Sequence, residues 1–266
     1  MNIEIEELIF NYPNGVAALE GVTLEIPTGS LVAIVGQNGA GKTTLVKHLN
    51  GLLLPTSGTV QIGGWDTRQH TIAELAKRIG FVFQNPDDQL FCRTVREEIQ
   101  FGPQSLKFEP VKIEGLIASA LELTELRGKE AQNPYDLSPA WRKMVALASI
   151  LAMDTPIVVL DEPTTGQDAV SIERISRIIH ALHSSGKTII AISHDIDFCA
   201  ENFERMVVMR NGKVILDGPI HEVVAQRETL ASSYVEQPQL TRLAQKLGFS
   251  PVVCTPDDFI RVLRDS

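Results

Sequence analysis

No stretch of this 266-residue chain approaches the roughly 18 to 20 consecutive apolar residues that a helix needs to span a bilayer. The opening residues MNIEIEELIF also lack a basic leader followed by an apolar segment, so the chain is expected to be soluble and not exported. Cysteine is scarce. Cys92, Cys199 and Cys254 are odd in number, far apart and without metal-ligand spacing, which excludes a disulfide framework and points to buried thiols in a reducing compartment. Positive charge is in deficit, with 24 Lys and Arg against 33 Asp and Glu and a formal net charge of -9. That balance argues against a nucleic-acid partner, whose surface would need a dominant basic stripe. There is no internal repeat and no low-complexity tract.

What the chain does have is an alternation of strand and helix patterns. The stretches SLVAIVG (30–36), PIVVLDE (156–162) and KTIIAISHD (187–195) are apolar and rich in β-branched residues, the character of parallel strands buried on both faces. Helical patterns over Lys42 to Leu53 and Val170 to Ser184 supply crossovers, so the centre of the fold is expected to be an α/β sheet. The N-terminal segments IEIEELIFNY, LEGVTLEIPTG and SGTVQIGG alternate between Gly and Pro turns, as an antiparallel subdomain would. From about 85 to 151 the pattern is helical and reads as an insert, and MVVMRNGKVILDGPIHEV reads as a terminal hairpin. The expected organisation is one domain over 1–222 and an extension over 223–266, where Pro238, Pro251 and Pro256 punctuate short helices. Within it TRLAQKLGF has the amphipathic spacing of a helix suited to dimer contacts.

The chemistry is concentrated in GQNGAGKTT, Gly36 to Thr44, which follows a strand and opens a helix. In that context the G-x-x-x-x-G-K-[ST] pattern specifies a phosphate cradle. Gly36, Gly39 and Gly41, with Asn38 and Ala40 between them, let successive backbone N–H groups point inward, and the following helix adds its positive end through Thr44. Lys42 is expected to reach β and γ phosphates, and the Thr43 hydroxyl to ligate Mg²⁺. Asp161 and Glu162 end the strand IVVLDE. Asp161 is placed to hold Mg²⁺ through water, and Glu162 to polarise an attacking water.

Together with FVFQNP, LSPAW, VVLDEPTTGQD and ISHD, in this order over most of residues 1–222, these motifs resemble the nucleotide-binding subunits of ATP-binding cassette transporters. FQNPDDQLFCRTVREEIQFGP, Phe83 to Pro103, resembles the energy-coupling factor transporters, which import vitamins and transition-metal ions. The resemblance implies a P-loop NTPase (RecA-like) core that binds ATP and Mg²⁺. It implies that Tyr12 stacks on adenine and that Gln84 links Mg²⁺ and the reaction water to a membrane partner. It further implies that Asp168 crosses a dimer interface and that His194 contacts the γ phosphate. The family's signature, Leu-Ser-Gly-Gly-Gln, offers a hydroxyl and N–H groups to the opposite subunit's γ phosphate; here it reads Leu137, Ser138, Pro139, Ala140, Trp141.

Ser138 suits an N-cap and Pro139 a first helical turn, so the helix should form. Pro139 has no N–H, whereas Ser138 keeps its hydroxyl and Ala140 its N–H. One donor lost to a developing charge costs about 10² to 10³ in rate, so the site facing this segment is expected to be slow. Lys42, Asp161, Glu162 and His194 serve the nucleotide bound by this chain, while Ser138 to Trp141 serve another subunit's. This division favours an asymmetric heterodimer with a second ATPase over a homodimer. The other implied partners are a transmembrane coupling protein, docked near Asp87, Asp88, Glu97 and Glu98, and a membrane substrate-binding protein. The chain would then sit at the cytoplasmic face of the membrane. Three alternatives fit less well: a soluble ATPase of DNA repair would carry a long coiled coil between loop and signature, a regulatory module would carry tandem cassettes, and a small-molecule kinase would lack the later motifs. An ATP-dependent assembly switch with little hydrolysis is disfavoured by Glu162 and His194.

Overall fold

Strands that read as continuous apolar runs end up in the middle of the molecule because both of their faces are covered. In the computed structural model, which describes residues 1–249 and 252–264, the chain begins with β1 (Ile3–Asn11), β2 (Ala17–Ile26) and β3 (Leu31–Val35). Then come α1 (Lys42–Leu49), β4 (Ser57–Ile62), β5 (Trp65–Asp66), α2 (Ile72–Leu75) and β6 (Ile79–Val82). Three helices follow, α3 (Val95–Ser105), α4 (Pro110–Leu123) and α5 (Pro139–Leu151), before the chain returns to the sheet in β7 (Ile157–Asp161). After α6 (Ala169–Ser184), β8 (Thr188–Ser193), α7 (Ile196–Asn202), β9 (Arg205–Arg210) and β10 (Lys213–Pro219), the tail folds as α8 (Ile220–Ala225), α9 (Arg227–Ser232), α10 (Gln239–Lys246) and α11 (Pro256–Arg264). Pro251, one of the expected punctuation points, lies outside the described residues.

The larger sheet has the order β10-β9-β3-β8-β7-β6, parallel except for the β9–β10 hairpin. The smaller sheet, β2-β1-β4-β5, is antiparallel throughout. Period-two alternation divides each central strand between two cores. Leu31, Ala33 and Val35 of β3, with Val158 and Leu160 of β7, face the helices, whereas Val32, Ile34, Ile157 and Val159 face the antiparallel sheet and α1.

The sequence patterns located most of these elements. One helix end and one strand differ from expectation. Helix α1 stops at Leu49 rather than Leu53, because Asn50 closes it and Pro55 follows. The four-residue strand β6 is absent from the sequence reading, since IGFV is too short to show a period and merges into the FVFQNP motif. The tail is also less separate than its composition suggests. Helix α8 runs through the expected boundary at 222/223, and Val223, Val224, Leu230, Val235 and Cys254 join the main core. Cys199 and Cys254 are buried as expected, but Cys92 is only half-buried. Burial, followed by the Glu98 charge, pushes the Cys92 thiol up to about 11, so it is not a reactive thiolate at neutral pH.

Helix α5 can lie close to β6 because residue 80 has no side chain. A Cβ at Gly80 would come within 2.4 Å of Ile150 Cγ2 and 2.9 Å of Thr155 Oγ1. Gly80→Ala is therefore expected to destabilise the chain by about 1 to 3 kcal/mol through overpacking, lowering the urea midpoint at constant m. An unchanged midpoint would mean that α5 retreats from β6 without cost.

Candidate functional site

The expected phosphate cradle lies where β3 hands over to α1. Gly41 is the N-cap of α1 with φ of 100°, and a Cβ there would lie 2.7 Å from the Ala18 carbonyl oxygen. The helix therefore starts without a side-chain cap and without an acid in its first turn. Its first N–H groups are left for an external acceptor, the condition for an anion site at a helix N-terminus. Lys42, buried, donates from Nζ to the carbonyl oxygens of Gly36 at 2.7 Å and Gln37 at 3.1 Å. Burial holds its ammonium below the ordinary lysine range, while the charges of Glu162 and Asp161 pull the other way.

The acidic pair occupies the end of β7, next to β3's other parallel neighbour β8. Asp161 Oδ1 accepts a long bond, 3.4 Å, from Thr43 Oγ1. Burial and then the Glu162 charge raise the Asp161 carboxyl above the usual range. Glu162 has a left-handed backbone, φ 47°, held by its N–H donating to Ile192 O at 2.8 Å. That conformation costs about 1 to 2 kcal/mol for a residue with a Cβ and turns the carboxylate toward β8. There Glu162 Oε2 accepts from His194 Nδ1 at 2.7 Å and from the His194 backbone N–H at 3.3 Å. The Glu162 side chain is 9% exposed and that of His194 61%, so the imidazole reaches out from a sheltered carboxylate.

A cavity of about 360 Å³ joins these parts: Tyr12, residues 38–44, Gln84, Glu162 and His194 all line it. Tyr12 is fixed by a closed ring of contacts. Its hydroxyl is 3.0 Å from Thr44 Oγ1, its ring meets Phe10 edge-on at 4.9 Å, and Phe10 meets His48 edge-on at 4.8 Å. His48 Nδ1 closes the ring at 2.8 Å from Thr44 O. Gly36 and Asp161 lie just behind this wall, in contact with Lys42 and Thr43 respectively. Among the described residues no cluster of three or more His, Cys, Asp and Glu is arranged for a metal ion. One hydroxyl, one carboxylate and an amide are all hard oxygen donors, and they suit Mg²⁺, which takes one or two carboxylates and completes its shell with water and phosphate oxygens.

Ser138, Ala140 and Asp168 do not line this cavity. Ser138 is the exposed N-cap of α5, accepting from Trp141 N–H at 3.5 Å, and Pro139 fills the first helical position. The half-buried Trp141 ring has Lys129 Nζ and the Arg174 guanidinium each 4.8 Å from its centre. Asp168 caps α6 by accepting from Ser171 N–H at 2.8 Å. The four acids expected to form a docking cluster are mostly engaged within the chain. Asp87 pairs with Arg142 at 2.9 Å, Glu97 closes a capping box with Thr94, and buried Glu98 accepts from Phe91 and Cys92 N–H at 2.9 and 2.7 Å. Asp88 is left on the surface beside Asn85.

Residues that sequence reasoning passed over include Val16, Ala17 and Ala18 in the cavity wall, and buried Lys143 on α5. The signal for Lys143 was present: it shares the stripe of Ala146 and Leu147, so a lysine stands where the pattern asks for an apolar residue.

Residues 19–165 match the ABC transporter family. An ABC transporter ATP-binding protein of Methanosarcina acetivorans is 42% identical over 99% of this chain, and the chain spans 44% of that relative's length. The energy-coupling factor transporter ATP-binding protein EcfA of Methanocaldococcus jannaschii is 38% identical over 92% of this chain and 89% of its own. Among solved structures, cbiO1 of Clostridium perfringens, part of the ABC transporter complex cbiONQ, superposes with a TM-score of 0.78 at 33% identity, over 93% of this chain and 98% of that one.

Replacing Lys42 by Ala removes a charged donor from the cradle. MgATP affinity is expected to fall by about 10- to 150-fold in a calorimetric titration, the range for a hydrogen bond to a charged group. An affinity within threefold of the parent would place the phosphates elsewhere.

Proposed function

The chain belongs to the ABC transporter family and carries its ATPase domain on an α/β P-loop NTPase fold, and on that premise we propose that it hydrolyses ATP to power a membrane importer of micronutrients, vitamins or transition-metal ions. The observation that carries the ATPase reading is the convergence of the phosphate cradle, Glu162 and His194 on one cavity. The importer reading rests on likeness to EcfA and cbiO1.

In the reaction we envisage, a water attacks the γ phosphate in line, and positioning and charge stabilisation carry most of the catalysis. The N–H groups of residues 38–44 and the start of α1 hold the β and γ phosphates, and Lys42 exchanges its two loop carbonyls for phosphate oxygens. Tyr12 presents its ring to the adenine. Glu162 accepts a hydrogen bond from the attacking water, and His194, oriented through its Nδ1, turns its far edge to the γ phosphate. Thr43, Asp161 and Gln84 would hold Mg²⁺, which supplies charge neutralisation to the triphosphate when bound.

The position of Ser138, Ala140 and Asp168 outside the cavity supports their donation to a second ATPase subunit. Pro139 removes one N–H from the donated segment, and the Ser138 hydroxyl is already the cap of α5. We therefore favour a heterodimer in which the partner supplies an intact signature to this chain's ATP, while the opposite site is slow. Residues 1–222 would form the cassette, and the extension 223–266, led by α10, would add dimer contacts. No helix among the described residues is long and apolar enough to cross a membrane. The complex would accordingly hold this chain peripherally, at the cytoplasmic face, through a transmembrane coupling protein that works with a membrane substrate-binding protein. With three of the four acids engaged, the better candidate for the coupling contact is a cavity of about 430 Å³ lined by exposed Phe91 and Phe101 with Leu106, Ile150 and Met153.

Glu162→Gln should retain bound MgATP while hydrolysis falls by about 10² to 10⁴. Light scattering of that variant with MgATP is expected to give a monomer in the absence of other subunits; an ATP-dependent homodimer would overturn the asymmetric reading. Phe91→Asp combined with Phe101→Asp should abolish copurification with the membrane subunits and leave MgATP affinity unchanged. Undiminished copurification would move the coupling contact away from this cavity.

A further inference from the structure

The strand β6 stops pairing at Val82, which leaves the carbonyl groups of Phe83 and Gln84 beyond the ladder. Both are satisfied by one side chain: Lys143 Nζ, on α5, donates to Phe83 O and to Gln84 O at 2.9 Å each. Lys143 is 1% exposed. A buried ammonium is expensive, and a methionine would fill the same stripe of α5 without that cost. The cost is offset here by two charge-assisted hydrogen bonds and by the nearby carboxylates of Asp161 and Glu162.

Lys143 does not act alone. Its neighbour Arg142 holds Asp87 at 2.9 Å. Gln89 spans the same gap in the other direction, its Oε1 accepting from Phe83 N–H at 3.1 Å and its Nε2 donating to Ala146 O at 2.8 Å and Ser149 Oγ at 3.1 Å. Tyr135, just before α5, donates from its hydroxyl to Leu90 O at 2.6 Å. The segment 83–90 is thus fastened through three side chains to α5 and through Tyr135 to the turn just before it, while Gln84, exposed, stays on the cavity wall.

The helix it is fastened to begins at Ser138, five residues or about 7.5 Å along the axis from Lys143. We propose that Lys143 is a positioning residue that locks the Gln84 loop to α5, so that the segment presented to the opposite nucleotide and the glutamine at this chain's own nucleotide move as one body. This inference rests on the ATPase-dimer reading above. Its consequence is a direct mechanical link between the two sites: a shift of α5 on engaging the partner's ATP carries Gln84 with it.

The test is Lys143→Met in the full chain, alone and combined with Gln84→Ala. Hydrogen exchange of residues 83–90 should quicken by about tenfold or more, because two hydrogen bonds to that loop are lost, while MgATP affinity and the thermal midpoint hold. In the assembled transporter kcat should fall by about tenfold with KM within twofold, and the double variant should hydrolyse at the rate of Gln84→Ala alone, since residues acting through one group are not additive. Unchanged exchange in 83–90, or multiplicative losses in the double variant, would overturn the proposal. If the parent complex does not hydrolyse ATP, the ATPase reading fails, yet the exchange measurement still decides whether Lys143 holds the loop. Should Lys143→Met not fold, Arg142→Ala removes the outer tie at the surface and should quicken exchange in the same residues by about threefold or more; no change there would equally overturn the lock.

Discussion

Parallel pairing of β3, β8, β7 and β6 is the constraint on which the site depends. Parallel strands end on the same edge, so the residues after each one are brought together however far apart they lie in the chain. Gly36 follows β3, Glu162 follows β7, His194 follows β8 and Gln84 stands just past β6. Burial of both sheet faces makes this arrangement stiff, because any slip in register would drive apolar residues of one core into the other. The proposed chemistry would need that stiffness, since a cradle and a carboxylate must keep their separation to within fractions of an ångström.

The same burial sets the electrostatics. Lys42, Lys143, Asp161 and Glu162 are all nearly closed off from water. Burial lowers Lys42, lowers Lys143 to about 8 and raises Asp161. Opposite charges across the edge limit these shifts. In the proposed reaction an arriving triphosphate would bring negative charge to Lys42, in competition with the acidic pair. A site already neutralised by tight internal ion pairs would have less to gain from the ligand.

Much of this was legible in the sequence because the relevant signals are local. The cradle is a run of nine residues, Gly36 to Thr44, whose glycines and lysine have meaning only in that order. The acidic pair sits at the end of a strand with an unmistakable apolar run. What was illegible depends on contacts between distant segments. β6 is too short to show a period, and only its pairing with β7 makes it a strand. The acids at 87, 97 and 98 look free in one dimension, and their partners Arg142, Thr94 and the Phe91–Cys92 amides are visible only once the chain is folded. Trp141 presents the same problem, since its contacts with Lys129 and Arg174 of the same chain appear only in the fold.

The altered signature can now be placed on physical grounds. A helix whose only duty was to offer backbone donors across an interface would gain nothing from a proline at its first position. Here the helix has further duties: Ser138 and Pro139 set its start, Trp141 binds it to Lys129 and Arg174, and Arg142 and Lys143 bind it to the Gln84 loop. Each favours a well-fixed helix over a rich donor set. In the proposed heterodimer, a subunit that keeps the groups around its own cavity and stiffens the start of α5 would be suited to sense the second site more than to serve it. The fixed start of α5 and its fastening to the Gln84 loop are two parts of one arrangement, and Pro139, which helps set that start, is also the position that carries no N–H.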